Sequence, residues 1–278
     1  MLLTRVDRTA FERDGFLVIE GAVDAATCAR LRGRAEARVA AEDPTSLGGI
    51  FASGERANDA WFMESGEAIR CFLEAGAVDA EGRLDRPLAR AVNKLGHALH
   101  ELDPDFEAFS RDVHLGNLAR SLGMQDPRIV QSMMIFKQPA IGGEVRLHQD
   151  ASFLLTEPST VLGLWFALED ATVENGCLQV IPAGHRGPLR QRFARTGATS
   201  ADYRELDATP FDHAAVVPLE VPRGTLVCLH GHLPHGSAPN HSAASRHAYA
   251  MHVIDGQARW LEDNWLRRSR PAVPFYAS

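Results

Sequence analysis

The sequence predicts an α+β fold in which a mainly helical N-terminal part precedes an antiparallel β core. Up to about residue 125, apolar residues recur with the spacing of amphipathic helices. From about residue 129 the pattern changes to short β-branched and apolar runs separated by Gly, Pro and Asn turns. Many short strands at such spacing are typical of a sandwich or barrel. No Ser/Gly linker divides the chain, so we expect a single domain over 1–278, with helical support in 1–125 and the β core in 126–278.

Three helices are predicted in the N-terminal part, over about residues 24–39, 87–100 and 106–122. Asp24 is a suitable N-cap for the first helix, and Gly123 would end the third. Lys94 lies off the apolar stripe of the second helix. Before the first helix, Phe16–Ile19 has the composition of a short extended segment. The first helix would bury one apolar face, formed by Cys28, Leu31, Ala35 and Val39.

Seven runs with the composition of strands predict the β core: Ile129–Lys137, Glu144–His148, Val161–Leu168, Cys177–Ile181, Ala214–Val221, Gly224–His230 and His247–Ile254. The dipeptides Gly142-Gly143 and Asn175-Gly176 are typical of tight turns or bulges. Residues 186–212 have mixed charge and little periodicity. We therefore expect a long loop there, a candidate lid over the core.

Composition disfavours several kinds of partner. The formal charge of −7 repels nucleic-acid backbones, and the nearest basic strip, Arg267, Arg268 and Arg270, is more typical of a solvated face. No stretch reaches the roughly 18 apolar residues of a membrane span. We therefore expect a small-molecule substrate, no nucleic acid and no membrane.

Two further expectations concern the compartment and the oligomeric state. The four cysteines form no CxxC pair, which indicates reduced thiols and a cytoplasmic protein. No coiled-coil heptad is present, so a monomer is the default expectation.

The triplet His148-Gln149-Asp150 is the first candidate for metal chemistry. Residues i and i+2 of a strand point the same way, so His148 and Asp150 can reach one metal. Two imidazoles and one carboxylate are the ligands of redox-active non-heme iron. The triplet alone is weak evidence, because chance produces about one in a chain with this many His and Asp residues.

A third ligand would come from a later strand, and six of the twelve histidines fall between residues 230 and 252. His235 stands at a turn after an apolar strand and is a candidate, with His230, His232 and His252 as rivals. A structural role is open for each of them. Arg246 begins the next strand, where its guanidinium could bind a dicarboxylate through two parallel hydrogen bonds.

A long central block then carries a family resemblance, formed by Met133–Pro139, Gly142–Val145, His148–Leu154, Glu169–Thr172, Glu174–Leu178 and Ile181–Pro182. With these residues the chain resembles the phytanoyl-CoA dioxygenase family, from Gly15-Phe16 to Asn264–Leu266. The resemblance implies a double-stranded β-helix, which is a jelly-roll or cupin-like fold. It also implies an oxygenase that uses Fe(II), with 2-oxoglutarate and O2 as co-substrates.

The resemblance implies roles for individual residues. It maps the metal ligands, which are also the catalytic residues, onto His148, Asp150 and His235. It maps the arginine that binds 2-oxoglutarate onto Arg246. Further co-substrate contacts map onto Lys94, Met133, Trp165 and Ser237. The chain has only two lysines, Lys94 and Lys137, among 29 basic residues, which favours a role for Lys94, although a coding bias toward Arg explains the same count.

The implied reaction is hydroxylation of a C–H bond, with release of succinate and CO2. Related halogenases replace the carboxylate that corresponds to Asp150, so its presence here favours hydroxylation. We expect a small or medium organic acid or acyl derivative as substrate. Two other classes stay open: a non-catalytic protein that binds metal and 2-oxoglutarate, and a zinc-dependent hydrolase or isomerase on a similar barrel.

Substrate contacts are open at this stage. Four arginines could bind an anionic substrate, although solvation is the expected role: Arg146, Arg186, Arg190 and Arg192. Four apolar residues could form a substrate wall or pack between helices: Phe51, Trp61, Phe62 and Met63. The sequence leaves open the roles of Lys137 and of His185, which stands in Pro-Ala-Gly-His where many family members have Pro-Gly-Ser-His.

Overall fold

The protein consists of two main sheets packed face to face, with helices on the outer face of the larger sheet. Their strands pair in antiparallel fashion, except for the short parallel pair of Ile50–Phe51 with Ile69–Glu74. A computed structural model describes residues 8–43, 50–51, 60–79, 81 and 83–276. The helices are α1 (Arg8–Asp14), α2 (Ala25–Ala40), α3 (Ala60–Met63), α4 (Leu99–Leu102), α5 (Pro104–Ser110) and α6 (Val113–Ser121). The strands are β1 (Phe16–Ile19), β2 (Ile50–Phe51), β3 (Ile69–Glu74), β4 (Val92–His97), β5 (Pro127–Ile135), β6 (Val145–His148), β7 (Thr156–Glu157), β8 (Leu162–Ala167), β9 (Leu178–Val180), β10 (Gln191–Arg195), β11 (Ala201–Glu205), β12 (Val217–Leu219), β13 (Leu226–His230), β14 (His235–Ser237), β15 (Ala248–Asp255), β16 (Arg259–Trp260) and β17 (Val273–Pro274).

The main sheet has the strand order β1-β13-β8-β15-β5-β4-β3-β2, with β17 also paired to β5. The smaller sheet has the order β12-β9-β14-β6, and two further two-stranded sheets are formed by β10-β11 and by β16-β7. In the C-terminal half the chain passes repeatedly between the two sheets, from β5 to β6, from β8 to β9, and again through β12, β13, β14 and β15, so it winds around a shared interior. This is the predicted double-stranded β-helix, and the predicted fold class is confirmed.

The two faces of the main sheet pack against different layers of the protein, because successive residues of a strand point to opposite sides. On β8, Leu164 and Phe166 pack with the helices in the largest hydrophobic cluster. Trp165 and Ala167 point the other way and pack against the smaller sheet. The same alternation runs through β13 and β15. The main sheet therefore separates a helical core from an interior space between the sheets.

Helix α2 matches its prediction. The Asp24 side chain accepts a hydrogen bond of 2.7 Å from the backbone N–H of Thr27, which caps the helix. The four residues of the predicted apolar face, Cys28, Leu31, Ala35 and Val39, are all buried. Periodicity located this helix well because one face is solvated and the other is covered.

The helix predicted over 87–100 is wrong. A short 3₁₀ turn, Leu88–Arg90, leads into β4, and only the last residues enter α4. All six residues of β4 are buried, since the strand has neighbours on both faces. A strand that is buried on both sides shows no period of two, and its apolar residues here happened to fit a helical spacing.

Two further predictions need correction. The helix predicted over 106–122 is two helices, α5 and α6, because Asp112 caps a new helix by accepting from the backbone N–H of His114. The loop predicted over 186–212 contains the β10-β11 pair. Phe193 and Tyr203 stack across this pair with ring centroids 4.9 Å apart. With one aromatic residue in each of these two strands, the sequence has no alternating pattern from which the pair could be predicted. All seven predicted strand runs contain strands.

No described helix is both long enough and apolar enough to cross a membrane.

The carboxylate of Asp103 joins two helices of the outer layer. Its side chain is completely buried and accepts from Arg34 at 2.8 Å and Arg38 at 2.9 Å, both on α2. It also caps α5 by accepting from backbone N–H groups. We predict that Asp103→Asn lowers the free energy of unfolding by about 2 kcal/mol or more, because the cap persists while two guanidinium groups lose their anion.

Urea unfolding of the Asp103→Asn variant measures this effect, with Asp105→Asn as the matched control. The pair between Asp105 and Arg30 is exposed, so its loss should cost less than about 1 kcal/mol. Equal losses in the two variants would contradict the assignment of Asp103 as the link between α2 and α5.

Candidate active site

The three predicted metal ligands meet between the two sheets. His148 is the last residue of β6, Asp150 opens the short 3₁₀ turn that follows, and His235 is the first residue of β14. β6 and β14 pair so that His148 and His235 are direct neighbours. The Nε2 atoms of both histidines lie 3.6 Å from Oδ1 of Asp150. One ligand atom from each residue lies within 4.8 Å of the other two, an arrangement that can hold a metal ion.

Asp150 reaches this site from a turn and not from the strand on which we placed it. The strand ends at His148, and the backbone carbonyl of Asp150 accepts from the N–H groups of Phe153 and Leu154. The geometry of the turn, and not a two-residue strand period, therefore brings the two side chains of the triplet together.

Both imidazoles are oriented by backbone carbonyls two residues before them. Nδ1 of His148 lies 2.9 Å from the carbonyl oxygen of Arg146, and Nδ1 of His235 lies 3.0 Å from that of Leu233. A carbonyl only accepts, so each Nδ1 carries the proton in these hydrogen bonds. The lone pair is then on Nε2, the atom that faces Asp150.

The second oxygen of the Asp150 carboxylate is also enclosed. Oδ2 lies 3.3 Å from Nε2 of His252 on β15. A Cβ atom built at Gly163 on β8 would lie 2.9 Å from the same oxygen, so glycine there leaves room for the carboxylate. The contact with His252 turns Oδ1 toward His148 and His235.

Electrostatics keep Asp150 and His235 in their metal-binding forms. Burial would lower the pKa of His148, but the hydrogen bond and charge of Asp150 raise it above its usual value, and a bound metal would displace that proton. Burial by itself would raise the pKa of Asp150, but the neighbouring imidazoles, chiefly those of His252 and His235, hold it well below its usual range. Burial lowers the pKa of His235 to about 4. At neutral pH the site therefore offers an ionised carboxylate and a neutral imidazole, which are the forms that coordinate metals.

Arg246 lies elsewhere on the same interior space, just before β15. Its side chain is 2% exposed, and its Nε donates a hydrogen bond of 3.1 Å to the carbonyl of Gly176. The guanidinium carbon lies 5.4 Å from the ring centroid of Trp165. Among the described residues, its buried Nη1 atom finds no hydrogen-bond acceptor. Burial lowers the pKa of Arg246 to about 10, so the group is still cationic at neutral pH, and it forms no salt bridge with a carboxylate in the part of the chain that the structure describes.

Lys94 and Met133 line the same cavity, which has a volume of about 200 Å³. The Lys94 ammonium lies 3.9 Å from the sulfur of Met133 and faces the rings of Phe62 and Phe72 at 5.8 and 5.2 Å. Burial lowers the pKa of Lys94 to about 7. The helix that we predicted over 87–100 did not indicate this position for Lys94. The residue lies on strand β4, which presents its side chain to the cavity.

Lys137, whose role the sequence left open, also lines the cavity. Its ammonium donates to the carbonyl of Gly143 at 2.8 Å and to the hydroxyl of Ser237 at 2.9 Å. The signal that could have found it was the scarcity of lysine, because both lysines of the chain are cavity residues. The contribution of Gly163 left no signal in the sequence.

The rival histidines do not join the three predicted ligands. The ring of His230 lies 5.0 Å from that of His185 and 6.1 Å from that of Phe11, and His232 contacts the hydroxyl of Ser159 at 3.0 Å. His252 also lines the cavity, but its Nε2 contacts Oδ2 of Asp150, whereas His148 and His235 contact Oδ1. His185 lies 3.2 Å from the carbonyl oxygen of Glu12, so it packs the N-terminal segment.

Two of the four arginines considered for an anionic substrate are paired with carboxylates outside the cavity. Arg190 pairs with Asp207, and Arg192 is 2% exposed and pairs with Asp263 at 2.8 Å. The expected solvation of Arg192 is therefore wrong. Among the described residues that line the cavity, Arg246 is the one arginine.

The apolar residues suggested as a substrate wall divide between several roles. Phe62 lines the cavity beside Trp265, with ring centroids 4.5 Å apart. Met63 is buried in a cluster with Trp265. Trp61 donates to the carbonyl of Cys71 at 3.2 Å. The side chain of Phe51 lies outside the described residues.

These residues fit Fe(II) and 2-oxoglutarate. Two imidazoles and a carboxylate on one side of a metal leave the remaining positions open for a chelating co-substrate and for oxygen. The unpaired Nη1 of Arg246 fits a carboxylate, because a guanidinium binds carboxylates through parallel hydrogen bonds. The assignment of the individual ligands stays a prediction.

Sequence comparison gives relatives over almost the whole chain. The profile of the family described as Phytanoyl-CoA dioxygenase (PhyH) matches residues 11–248. The phytanoyl-CoA dioxygenase domain-containing protein 1 of Bos taurus is 45% identical over 276 residues, which cover 95% of this chain and 94% of that protein. A phytanoyl-CoA dioxygenase of Arabidopsis thaliana is 40% identical over 269 residues, which cover 96% and 94%.

Solved structures of low sequence identity share the fold. EctD from S. alaskensis with 2-oxoglutarate and 5-hydroxyectoine has a TM-score of 0.66 and 21% identity over 96% of this chain and 84% of that one. The epimerase SnoN in complex with Fe3+, alpha ketoglutarate and nogalamycin RO has a TM-score of 0.64 and 17% identity over 97% and 94%.

Fold, donor set and relatives together define an iron- and 2-oxoglutarate-dependent dioxygenase. The chain belongs to the phytanoyl-CoA dioxygenase family. The family resemblance and the cofactor class expected from the sequence are confirmed.

The close approach of Gly163 to Asp150 generates a prediction. We expect Gly163→Ala to weaken Fe(II) binding by about tenfold or more, because the new methyl group displaces a carboxylate that must keep its orientation. Anaerobic Fe(II) titration of the folded variant measures the effect.

Gly33→Ala is the matched control, because a Cβ atom at Gly33 meets nothing within 4 Å. This variant should bind Fe(II) as the wild type does. A folded Gly163→Ala variant with wild-type Fe(II) affinity would exclude Asp150 as a closely constrained ligand.

Proposed function

We propose that this dioxygenase hydroxylates a C–H bond of a small or medium organic acid or acyl derivative, with His148, Asp150 and His235 holding Fe(II). The observation that carries the proposal is the presence, in one cavity, of three convergent metal donors and a buried guanidinium without an anion. When bound, Fe(II) with 2-oxoglutarate and O2 supplies the oxidation: the substrate gains a hydroxyl group, and 2-oxoglutarate leaves as succinate and CO2.

The chain's own residues supply binding and orientation. The backbone carbonyls of Arg146 and Leu233 fix the imidazoles of His148 and His235, so the donors are in place before the metal binds. Asp150 adds the negative charge that a divalent cation requires.

Arg246 binds the distal carboxylate of 2-oxoglutarate. The carbonyl of Gly176 holds Nε, which leaves Nη1 as a donor for the carboxylate, and the Trp165 ring lies beside the guanidinium. Met133, Lys94 and Ser237 complete the co-substrate contacts. Their shared placement on the cavity wall supports this assignment.

The character of the wall supports the substrate class. Phe62, Phe153 and Trp265 contribute aromatic surface near His148 and Asp150. Arg190 and Arg192 are already paired with carboxylates, so they are not free to bind the phosphates of a CoA ester. An organic acid with an apolar body fits this combination better than a full CoA thioester.

We also propose a monomeric cytoplasmic enzyme without a nucleic-acid or membrane partner. All four cysteines are free and buried, which is compatible with a reducing compartment. Two arginines of the candidate basic strip, Arg268 and Arg270, pair with Glu101, which leaves little free positive charge there for nucleic acid.

The test of this function is succinate formation by anaerobically Fe(II)-loaded protein that is then given 2-oxoglutarate and O2, with Asp150→Ala as control. We expect succinate from the wild type and none from the variant, and organic acids and acyl-CoA esters can then be screened for stimulation. Binding of 2-oxoglutarate without succinate under every substrate would indicate a non-catalytic protein. Tight Zn(II) binding with no affinity for 2-oxoglutarate would indicate the hydrolase or isomerase alternative.

A second prediction concerns the guanidinium. We expect Arg246→Lys to weaken 2-oxoglutarate binding by about ten- to hundredfold, because an ammonium cannot both hold the carbonyl of Gly176 and bind a carboxylate through two parallel bonds. Anaerobic titration of the Fe(II) form, followed by its charge-transfer band, gives the dissociation constant. Arg192→Lys, at the other fully buried arginine, should leave that constant unchanged. Near-normal affinity in Arg246→Lys would exclude Arg246 as the carboxylate ligand.

A further inference from the structure

Lys137 is held in an unusual backbone conformation next to Arg246. Its φ is +34°, a left-handed value that residues with side chains rarely adopt. Its carbonyl accepts from the side chain of Asn240 at 3.1 Å and from the backbone N–H of Arg246 at 3.3 Å. The surrounding structure therefore fixes both the strained backbone and its relation to the arginine.

The lysine side chain passes two glycines on its way to the cavity. A Cβ atom at Gly176 would lie 2.3 Å from Cε of Lys137, and one at Gly142 would lie 2.8 Å from its Cγ. Gly176 has a positive φ and also supplies the carbonyl that holds Arg246. The same turn thus positions both cations, and only glycine leaves the passage open.

The ammonium of Lys137 determines which way the Ser237 hydroxyl points. An ammonium only donates, so at 2.9 Å the hydroxyl oxygen of Ser237 must be the acceptor. The hydroxyl proton is then directed away from Lys137. Ser237 is 2% exposed and lines the cavity with Arg246, so the cavity is where this proton can find an acceptor.

The position of Ser237 relative to the metal ligands suits the co-substrate. Ser237 follows His235 by two residues on β14, so the two side chains share a face and stand about 6.6 Å apart along the strand. A five-carbon dicarboxylate bound at the metal by its 2-oxo acid end would extend its other carboxylate to this region. Arg246 and Lys137, both buried, have no ion pair with a carboxylate of the described residues that would compete for it.

We infer that Lys137 is a positioning residue that fixes the Ser237 hydroxyl as a hydrogen-bond donor to the distal carboxylate of the co-substrate. Lys137 and Ser237 thereby make this end of the cavity selective for 2-oxo acids with a second carboxylate. This inference rests on the proposed function, because it requires 2-oxoglutarate to bind at the metal.

The test compares 2-oxoglutarate with 2-oxobutyrate, which has the same chelating end and no distal carboxylate. Both are titrated anaerobically into the Fe(II) form of the wild type, Lys137→Met, Ser237→Ala and the double variant. We expect each single variant to bind 2-oxoglutarate about ten- to hundredfold more weakly and 2-oxobutyrate with less than about twofold change. The double variant should lose little more than Lys137→Met alone, because the lysine acts through the serine.

Arg192→Lys is the control, since it alters a buried cation that does not line the cavity. It should leave the affinities for both 2-oxo acids unchanged. Ser237→Ala removes one oxygen and keeps the test available if Lys137→Met does not fold.

Equal losses for both 2-oxo acids, no loss, additive losses in the double variant or the same selective loss in Arg192→Lys would each overturn the inference about Lys137. Failure of the wild type to bind either 2-oxo acid would instead overturn the proposed function, and the inference with it.

Discussion

The alternation of side chains along the central strands of the main sheet is the constraint on which the rest of the structure depends. Each strand must bury one set of residues against the helices and present the other set to the cavity. On β15, Tyr249 packs in the helical core, while Ala250 and His252 line the cavity. A slip of one residue would exchange these sets, so the packing of the helical core fixes the register that places the site.

Within that frame the cavity contains more buried cations than buried anions that can pair with them. Asp150 is surrounded by imidazoles, while Arg246 and Lys137 form no salt bridge with a carboxylate of the described residues. Burial lowers the pKa of each lysine to about 7, with the charge of Arg246 adding to the effect on Lys137, because charged forms are costly away from water. A dianionic co-substrate supplies the missing charge, so its binding stabilises the folded chain as well as the site.

The sequence predicted those elements in which polar residues face solvent and apolar residues face the core, because only there does the spacing of apolar residues show the type of element. Helix α2 has one wet and one buried face, and its four apolar positions were predicted correctly. Strand β4 is buried on both faces, so its sequence lacks the alternation typical of a strand. Its apolar residues happened to match the spacing of a helix, and we predicted a helix there. For the site, the triplet and the family resemblance indicated the region around His148. The contact between Lys137 and Ser237 joins residues 100 positions apart, and no local pattern predicts such a pair.

The scarcity of lysine, ambiguous in the sequence, has a physical explanation in the cavity. The Lys137 side chain passes between Gly142 and Gly176, and a Cβ atom added at either glycine would collide with it. The space is therefore wide enough for a methylene chain and a compact ammonium. A planar guanidinium with five N–H donors is wider and would leave most of those donors unpaired there. Lys94 meets a similar restriction, since aromatic rings and the Met133 sulfur surround it. In a chain that otherwise uses arginine, the close contacts around Lys137 and the apolar surroundings of Lys94 both suit the smaller cation.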